Sequence, residues 1–309
     1  RRRFGTEALD YLAEPLLAGI HAGDAERLSI QALFPRFADA ERRAGSVLRS
    51  LGSLHIRPSP QGAFVSLPGG LGELVDTVSL ALQPGTARLS AAVTALGRTG
   101  VFTVESGDAS LQARAVILSV PAYAAAGVLR GLDATLAGLC DAVPYASTAT
   151  IALGYRRDQI SHPLAGSGFV VPRVEGNPLL AATWVSSKWP GRAPDGHVLL
   201  RGFLGGGRDP HRLDRTDEEL IKVTRDALAD TLGIQGSPVV TRLSRFPRQS
   251  PQYEVGHLQR VAAIEARLAS LPGLFMAGSG FRAIGIPDCI ADGRDTAARA
   301  AAFVATTGM

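Results

Sequence analysis

The chain carries Leu274-Phe275-Met276-Ala277-Gly278-Ser279-Gly280-Phe281-Arg282-Ala283-Ile284-Gly285-Ile286-Pro287-Asp288 near the end of its 309 residues. An apolar run, a group of glycines and a Pro-Asp pair read in that order as strand, tight loop and helix start. Gly frees the backbone for the loop, and Pro is favoured in a first helical turn. By spacing alone, Gly278, Gly280 and Ala283 fit the dinucleotide pattern G-x-G-x-x-A. That pattern needs the helix to open at the glycines, whereas Gly285 and Pro287 delay it, and too little chain follows to finish a βαβ unit. The stretch therefore predicts a strand, a glycine loop and a helix whose first turn holds Ile286, Pro287 and Asp288. Such a helix end offers unpaired N–H groups and partial positive charge to a ligand ring on which negative charge develops, such as the pyrimidine edge of a flavin. An ordinary βα turn satisfies the same residues.

Working back from this stretch, His257 to Ser270 has helical periodicity, as does Glu218 to Leu232, opened by Thr216 and Asp217. Thr148–Tyr155, Gly168–Val171, Leu179–Val185, Val198–Leu204 and Val239–Arg245 read as strands, which makes an antiparallel sheet with a helix packed on it. Ala87–Leu96, Val101–Ser106 and Ala113–Val120 are also β-rich. Within the last, Ala115-Val116-Ile117-Leu118 suits a strand buried on both faces. Phe64-Val65-Ser66-Leu67 reads as a short strand before an amphipathic helix to about Leu82. Residues 1–55 read as helical: Phe4, Ala8, Leu9, Leu12 and Leu16 recur at helical intervals, Pro15 bends or ends that segment, and Asp24 or Ser29 caps the next. A last helix runs from Pro287 to about Val304.

Hydrophobic residues at 46% and charged residues at 19% describe a globular chain rather than a disordered one. The formal net charge is +4 with no basic tract, which argues against nucleic acid as a partner. Cys140 and Cys289 are far apart and without ligand-spaced His, so neither a zinc site nor a disulfide framework is indicated, and a reducing, cytoplasmic setting fits. No apolar run reaches the roughly 20 residues of a membrane span. The chain starts at Arg1 without Met, in what reads as the middle of a helix, and is expected to be a fragment.

Several stretches taken in order resemble the bacterial protoporphyrinogen and coproporphyrinogen oxidases. They are Phe4-Gly5; Glu14-Pro15-Leu16-Leu17-Ala18-Gly19-Ile20-His21-Ala22-Gly23-Asp24; Gly69-Gly70-Leu71; Trp184-Val185-Ser186-Ser187-Lys188; Pro251-Gln252-Tyr253 with Gly256-His257; and Gly278 through Ile290 with Gly293. The resemblance spans the whole chain. It implies a flavoenzyme of the amine-oxidase-like superfamily, with FAD as cofactor, a porphyrinogen as substrate and O2 as acceptor, in haem biosynthesis. The implied fold class is α/β with α+β elements. Residues 1–60 would form a helical subdomain, 61–140 with 251–309 a partial FAD-binding domain, and 141–250 a substrate-binding sheet domain. The diphosphate cradle of the family precedes the part matched here, so this chain is expected to supply the isoalloxazine side of the site.

Carried over residue by residue, the resemblance places a backbone contact to the adenine at Val93. It places the flavin ring at Gly278, Ile284, Gly285, Ile286 and Pro287, and a flavin-side aromatic at Phe246, where many members have Trp. No catalytic acid or base is implied. Contact with a membrane surface through Leu9, Leu12, Leu16, Leu17 and Ile20, or cover for the substrate cavity by the same residues, and a homo-oligomer are all compatible with it. Another superfamily flavoenzyme, such as an amine oxidase or carotenoid desaturase, and a truncated porphyrin-binding protein without catalysis remain alternatives.

Outside that pattern, Lys188, Arg192 and Arg201 could meet substrate carboxylates or simply face solvent. His257 reads as a hydrogen-bonded structural histidine, and Trp184 and Trp189 as packing residues. Gly205-Gly206-Gly207 lacks the Lys-Ser/Thr of a phosphate loop and reads as a turn. Cys289, in a first helical turn, could have a lowered pKa, but a structural thiol fits better.

Overall fold

The computed structural model describes residues 5–52 and 64–307. It divides into two compact units, one made of Arg1–Leu28, Arg36–Ala81 and Tyr145–Gln252, the other of Ser29–Pro35, Leu82–Pro144 and Tyr253–Met309. The early helices are α1 (Gly5–Ala8), a π-helical turn (Leu9–Ala13), α2 (Glu14–His21), α3 (Ile30–Leu33), α4 (Pro35–Ala44), α5 (Val47–Gly52) and α6 (Gly72–Ala81). Pro15 does not end the first segment. It sits in the opening turn of α2, directly after the π-helical turn, and the backbone stays helical through Ala13 and Glu14. Ser29 accepts a hydrogen bond from Ala32 N at the start of α3.

In the first unit the strands are β5 (Tyr145–Arg156), β6 (Gly168–Val170), β7 (Ala181–Trp184), β8 (His197–Gly205) and β9 (Val240–Pro251), in the order β6-β7-β8-β5-β9, every pair antiparallel. One face packs on α10 (Asp217–Leu232) through Ile151, Leu153, Tyr155, Leu200, Leu204, Leu220, Leu228 and Leu232. Thr216 and Glu219 close a capping box at the start of α10, and Gly233 ends it with φ +61°. Trp184 is buried here, edge-on to Phe169, and precedes the single turn α9 (Val185–Lys188). Strand β9 continues past the expected Arg245, because the twelve residues of β5 offer it ladder partners as far as Tyr145, across a bulge at Ala146/Thr148. The expected strand at Phe64–Leu67 is irregular. Arg192 holds it instead, donating to Leu67 O at 2.6 Å and Ser66 Oγ at 3.1 Å.

The second unit contains an antiparallel meander of β1 (Ala95–Thr99), β2 (Val101–Ser106) and β3 (Ala109–Ala113). With it are α7 (Ala122–Leu129), α8 (Ala134–Asp141), α11 (His257–Leu268) and α12 (Ile286–Thr306), and a parallel pair of β4 (Val116–Leu118) with β10 (Leu274–Met276). The β-rich stretch from Ala87 pairs only from Ala95 onward. Ser90 at φ +55° breaks its extended path, and Leu89 is 90% exposed. The run Ala115–Leu118 is not buried on both faces among the described residues, since Ile117 remains 40% exposed.

Candidate functional site

In the second unit, β10 leads directly into the glycine loop. Ala277 N donates to Leu118 O at 3.1 Å, which holds the loop entrance against β4. Gly278 then turns the chain with φ +105°, a backbone region that disfavours any side chain. Its N–H donates to Asp292 Oδ2 at 2.7 Å, and the other oxygen of that carboxylate accepts from Arg282 Nε at 2.9 Å. Arg282 also reaches Glu265 and Met276 O, so one guanidinium ties loop, α11 and β10 together.

Tyr253 and His257 clamp the loop from its other side. The Tyr253 hydroxyl donates to Ser279 O at 2.9 Å, and His257 Nε2 lies 3.0 Å from Phe281 O, an arrangement that places the ring proton on Nε2. The two rings stack at 3.8 Å. Burial lowers the His257 pKa and a hydrogen bond to Phe281 O opposes this only in part, so the imidazole is held neutral and acts as a structural group.

The loop delivers the chain to α12 with Gly285 at its N-cap in extended conformation, no side-chain cap, and Pro287 in the first turn. Ile284 is half-buried, while Ile286 and Ile290 are about half exposed. The delayed helix start read from Gly285 and Pro287 is what the structure has, which disposes of the dinucleotide pattern. Cys289 Sγ donates to Ala283 O at 3.2 Å, and its thiol is pushed up by burial and by the carboxylates of Asp292 and Asp288. The helix end therefore does not create a reactive thiolate here. Val93 lies in the same unit, 41% exposed in the extended segment leading to β1.

Phe246 belongs to the first unit. It lies on β9 opposite Thr148, 40% exposed, on the sheet face turned away from α10. Gly206 and Gly207 form a turn against the end of α2, with Gly207 N donating to Ala22 O at 2.7 Å, and hold no phosphate cradle. Of the three candidate cations, Arg192 is committed to the 66–67 segment, and the Lys188 ammonium lies over the rings of Phe64 and Trp189. Arg201 stands apart, half-buried on the sheet with its guanidinium 5.1 Å from the Phe203 ring.

The sequence reading missed Asp292 and Arg282, because their bonds to Gly278 and Glu265 close only in three dimensions. It also missed Arg242, although the period-two alternation of β9 puts it on the same face as Phe246 and was there to be read. Among the described residues no group of three or more His, Cys, Asp or Glu side chains could hold a metal ion. No helix there is long and apolar enough to cross a membrane.

The second unit thus holds a strand feeding a glycine loop and an uncapped helix start, and the first unit an antiparallel sheet with one face packed on α10. The chain belongs to the family of flavin-containing amine oxidoreductases, which matches residues 1–301. It is 36% identical over 306 residues to coproporphyrinogen III oxidase of Bacillus subtilis (strain 168), and 29% identical over 334 residues to the chloroplastic protoporphyrinogen oxidase of Nicotiana tabacum. These alignments take in 95% and 98% of this chain but 64% and 61% of those proteins, so the chain spans less than two thirds of their length. A crystal structure from Exiguobacterium sp. 255-15, provisionally named a protoporphyrinogen oxidase, superposes with a TM-score of 0.83 at 29% identity, covering 99% of this chain and 65% of that one.

Proposed function

We propose that the protein of which this chain is part is an FAD-dependent oxidase that converts a porphyrinogen, coproporphyrinogen III or protoporphyrinogen IX, to the porphyrin in haem biosynthesis, with O2 as electron acceptor. The observation that carries the reading is the 36% identity to a coproporphyrinogen III oxidase, sustained over 95% of this chain. In this reading the second unit is the cofactor-binding part and the sheet of the first unit is the floor for the macrocycle.

The residues fit a flavin ring. The first turn of α12 has no side-chain cap, so its N–H groups are free to face the ring's anionic edge, and Ile284 and Ile286 offer apolar contact beside it. Gly278, Gly285 and Pro287 shape that turn, and Val93 would meet the adenine. When bound, the flavin supplies the two-electron acceptor that no side chain here could provide. The protein's own work is to hold geometry: Tyr253, His257, Asp292 and Arg282 keep the loop rigid, and the neutral His257 adds no charge beside it. No side chain is assigned as catalytic acid or base. Contact with a membrane surface through Leu12, Leu16 and Ile20, all at least half exposed, is compatible with this reading, as are a cytoplasmic location and a homo-oligomer.

The test is turnover by the purified full-length holoprotein. Under air, either porphyrinogen should give rising porphyrin fluorescence with about three hydrogen peroxide molecules per porphyrin, since three two-electron oxidations are required, and removal of O2 should stop both. Flavin-loaded protein that oxidises neither porphyrinogen would defeat the reading. Peroxide release on adding primary amines would favour an amine oxidase instead.

A further inference from the structure

The sheet of the first unit treats its arginines differently on its two faces. On the α10 side, Arg245 of β9 is fully engaged: its guanidinium pairs with Asp217 at 2.8 Å and donates to Leu213 O at 2.7 Å and Arg215 O at 2.6 Å. On the opposite face, Arg201 of β8 and Arg242 of β9 both lie in register with Ala152 of the intervening strand β5. Neither is ion-paired with a carboxylate among the described residues, and the buried Nε of Arg201 has no hydrogen-bond partner. Burying part of a guanidinium without an anion is costly, and burial lowers the affinity of Arg201 for its proton. A stable sheet gains nothing from such an arrangement unless an anion arrives.

The spacing says what kind of anion. One strand separates the arginines, so their backbones stand two inter-strand spacings, about 9.5 Å, apart, and the Ala152 methyl between them leaves the gap open. In the next row, Phe203, Thr150 and Ser244 stand side by side on the same face, an apolar ring followed by two hydroxyls. The Phe203 ring lies beneath the Arg201 guanidinium, 5.1 Å from its central carbon. One small anion would engage one arginine. Two carboxylates carried on a broad apolar body would engage both.

We propose that Arg201 and Arg242 form a paired binding site for two carboxylate arms of the substrate, and that they set the preference for a macrocycle bearing such arms. This rests on the porphyrinogen reading. Each guanidinium can present a fork of N–H donors to a carboxylate, and binding relieves the unpaired Arg201.

The test is equilibrium titration of the full-length holoprotein with coproporphyrin III, which carries four carboxylates, and with its tetramethyl ester, read by fluorescence quenching. Arg201→Met and Arg242→Met should each raise the Kd for the free acid by about tenfold or more, and the double variant further. The ester should bind all variants within about twofold of one another. Arg201→Lys should recover part of the loss, and the flavin spectrum should stay unchanged throughout. If Arg201→Met disturbs folding by circular dichroism, Arg242→Met on the exposed strand carries the same comparison. Unchanged affinity for the free acid, or equal losses for acid and ester, would overturn the proposal while porphyrinogen turnover by the unmodified protein leaves the functional reading standing. Stronger binding of inorganic phosphate than of the porphyrin, reduced by the same variants, would overturn it in favour of a single-anion site. Unmodified protein that neither binds porphyrin nor oxidises porphyrinogen would bring down both.

Discussion

Tyr253 and His257 lie ring on ring at 3.8 Å and 14°, and each reaches the carbonyl of a different residue in the glycine loop, Ser279 for the phenol and Phe281 for the imidazole. Two polar tips thus hold the backbone of a loop whose Phe281 and Ala283 side chains are themselves buried. Tyr253→Phe should cost about 1 kcal/mol by removing one hydrogen bond, and His257→Ala about 3 kcal/mol by also emptying a buried site. Urea unfolding measures both, and faster loss of flavin on dilution should accompany them.

The neutral, buried His257 also predicts how stability depends on pH. Its folded pKa lies below the ordinary 6.5, so between the two values the unfolded chain binds more protons than the native one. Its contribution is complete above about pH 6.5 and is lost as pH falls from there toward the folded pKa. His21, likewise lowered by burial, acts in the same direction. His257→Phe should flatten the slope of unfolding free energy in that window, and an unaltered slope would remove His257 from the account.

Asp133 works in a lower window. Burial opposes its charge, but bonds from Leu136 N at 2.8 Å and Arg267 Nε at 2.6 Å outweigh this and hold the carboxyl below its usual range. Stability from this group is complete above about pH 3.8 and lost as pH falls through the depressed folded value. Asp133→Ala removes both the cap of α8 and the partner of Arg267 and should cost about 2 kcal/mol near neutrality, measured by thermal unfolding.

Glu14 and Arg208 form a nearly buried ion pair at 3.2 Å, with side chains 12% and 7% exposed, and Arg208 also donates to Val171 O and Leu179 O. Removing one partner strands the other, so Glu14→Ala and Arg208→Ala should each cost about 3 kcal/mol. The double variant should cost clearly less than both together. Additive losses in a double-mutant cycle would show that the two groups act independently.

Gly278→Ala isolates backbone strain from crowding. An added Cβ would meet nothing nearer than Ser119 O at 3.8 Å, yet φ +105° is poor for alanine, so the cost should be about 2 kcal/mol. If the loop holds the flavin, retention of the cofactor should weaken in the same variant, as absorbance after gel filtration would reveal.

Much of the local architecture was legible because the signals act within a few residues. Thr216 with Glu219 announces the start of α10, and Gly285 with Pro287 places the start of α12. The alternation along β5 and β8 separates their two faces. What was misplaced needed a distant partner. Residues 64–67 and 87–94 have strand-like composition but no ladder; an arginine from elsewhere in the chain claims the first, and a left-handed residue interrupts the second.

The amino-acid sequence by itself determined the order of elements, the glycine loop ahead of an N-terminally uncapped helix, and the likeness to porphyrinogen oxidases, because those are written in neighbouring residues and in their order along the chain. Only the tertiary structure decided that Asp292 would hold Gly278, that Arg245 would be neutralised while Arg201 and Arg242 would not, and that His257 would be buried and uncharged. Those outcomes depend on which groups remote in sequence reach one another and on how much water is excluded around them, and neither quantity is contained in local spacing.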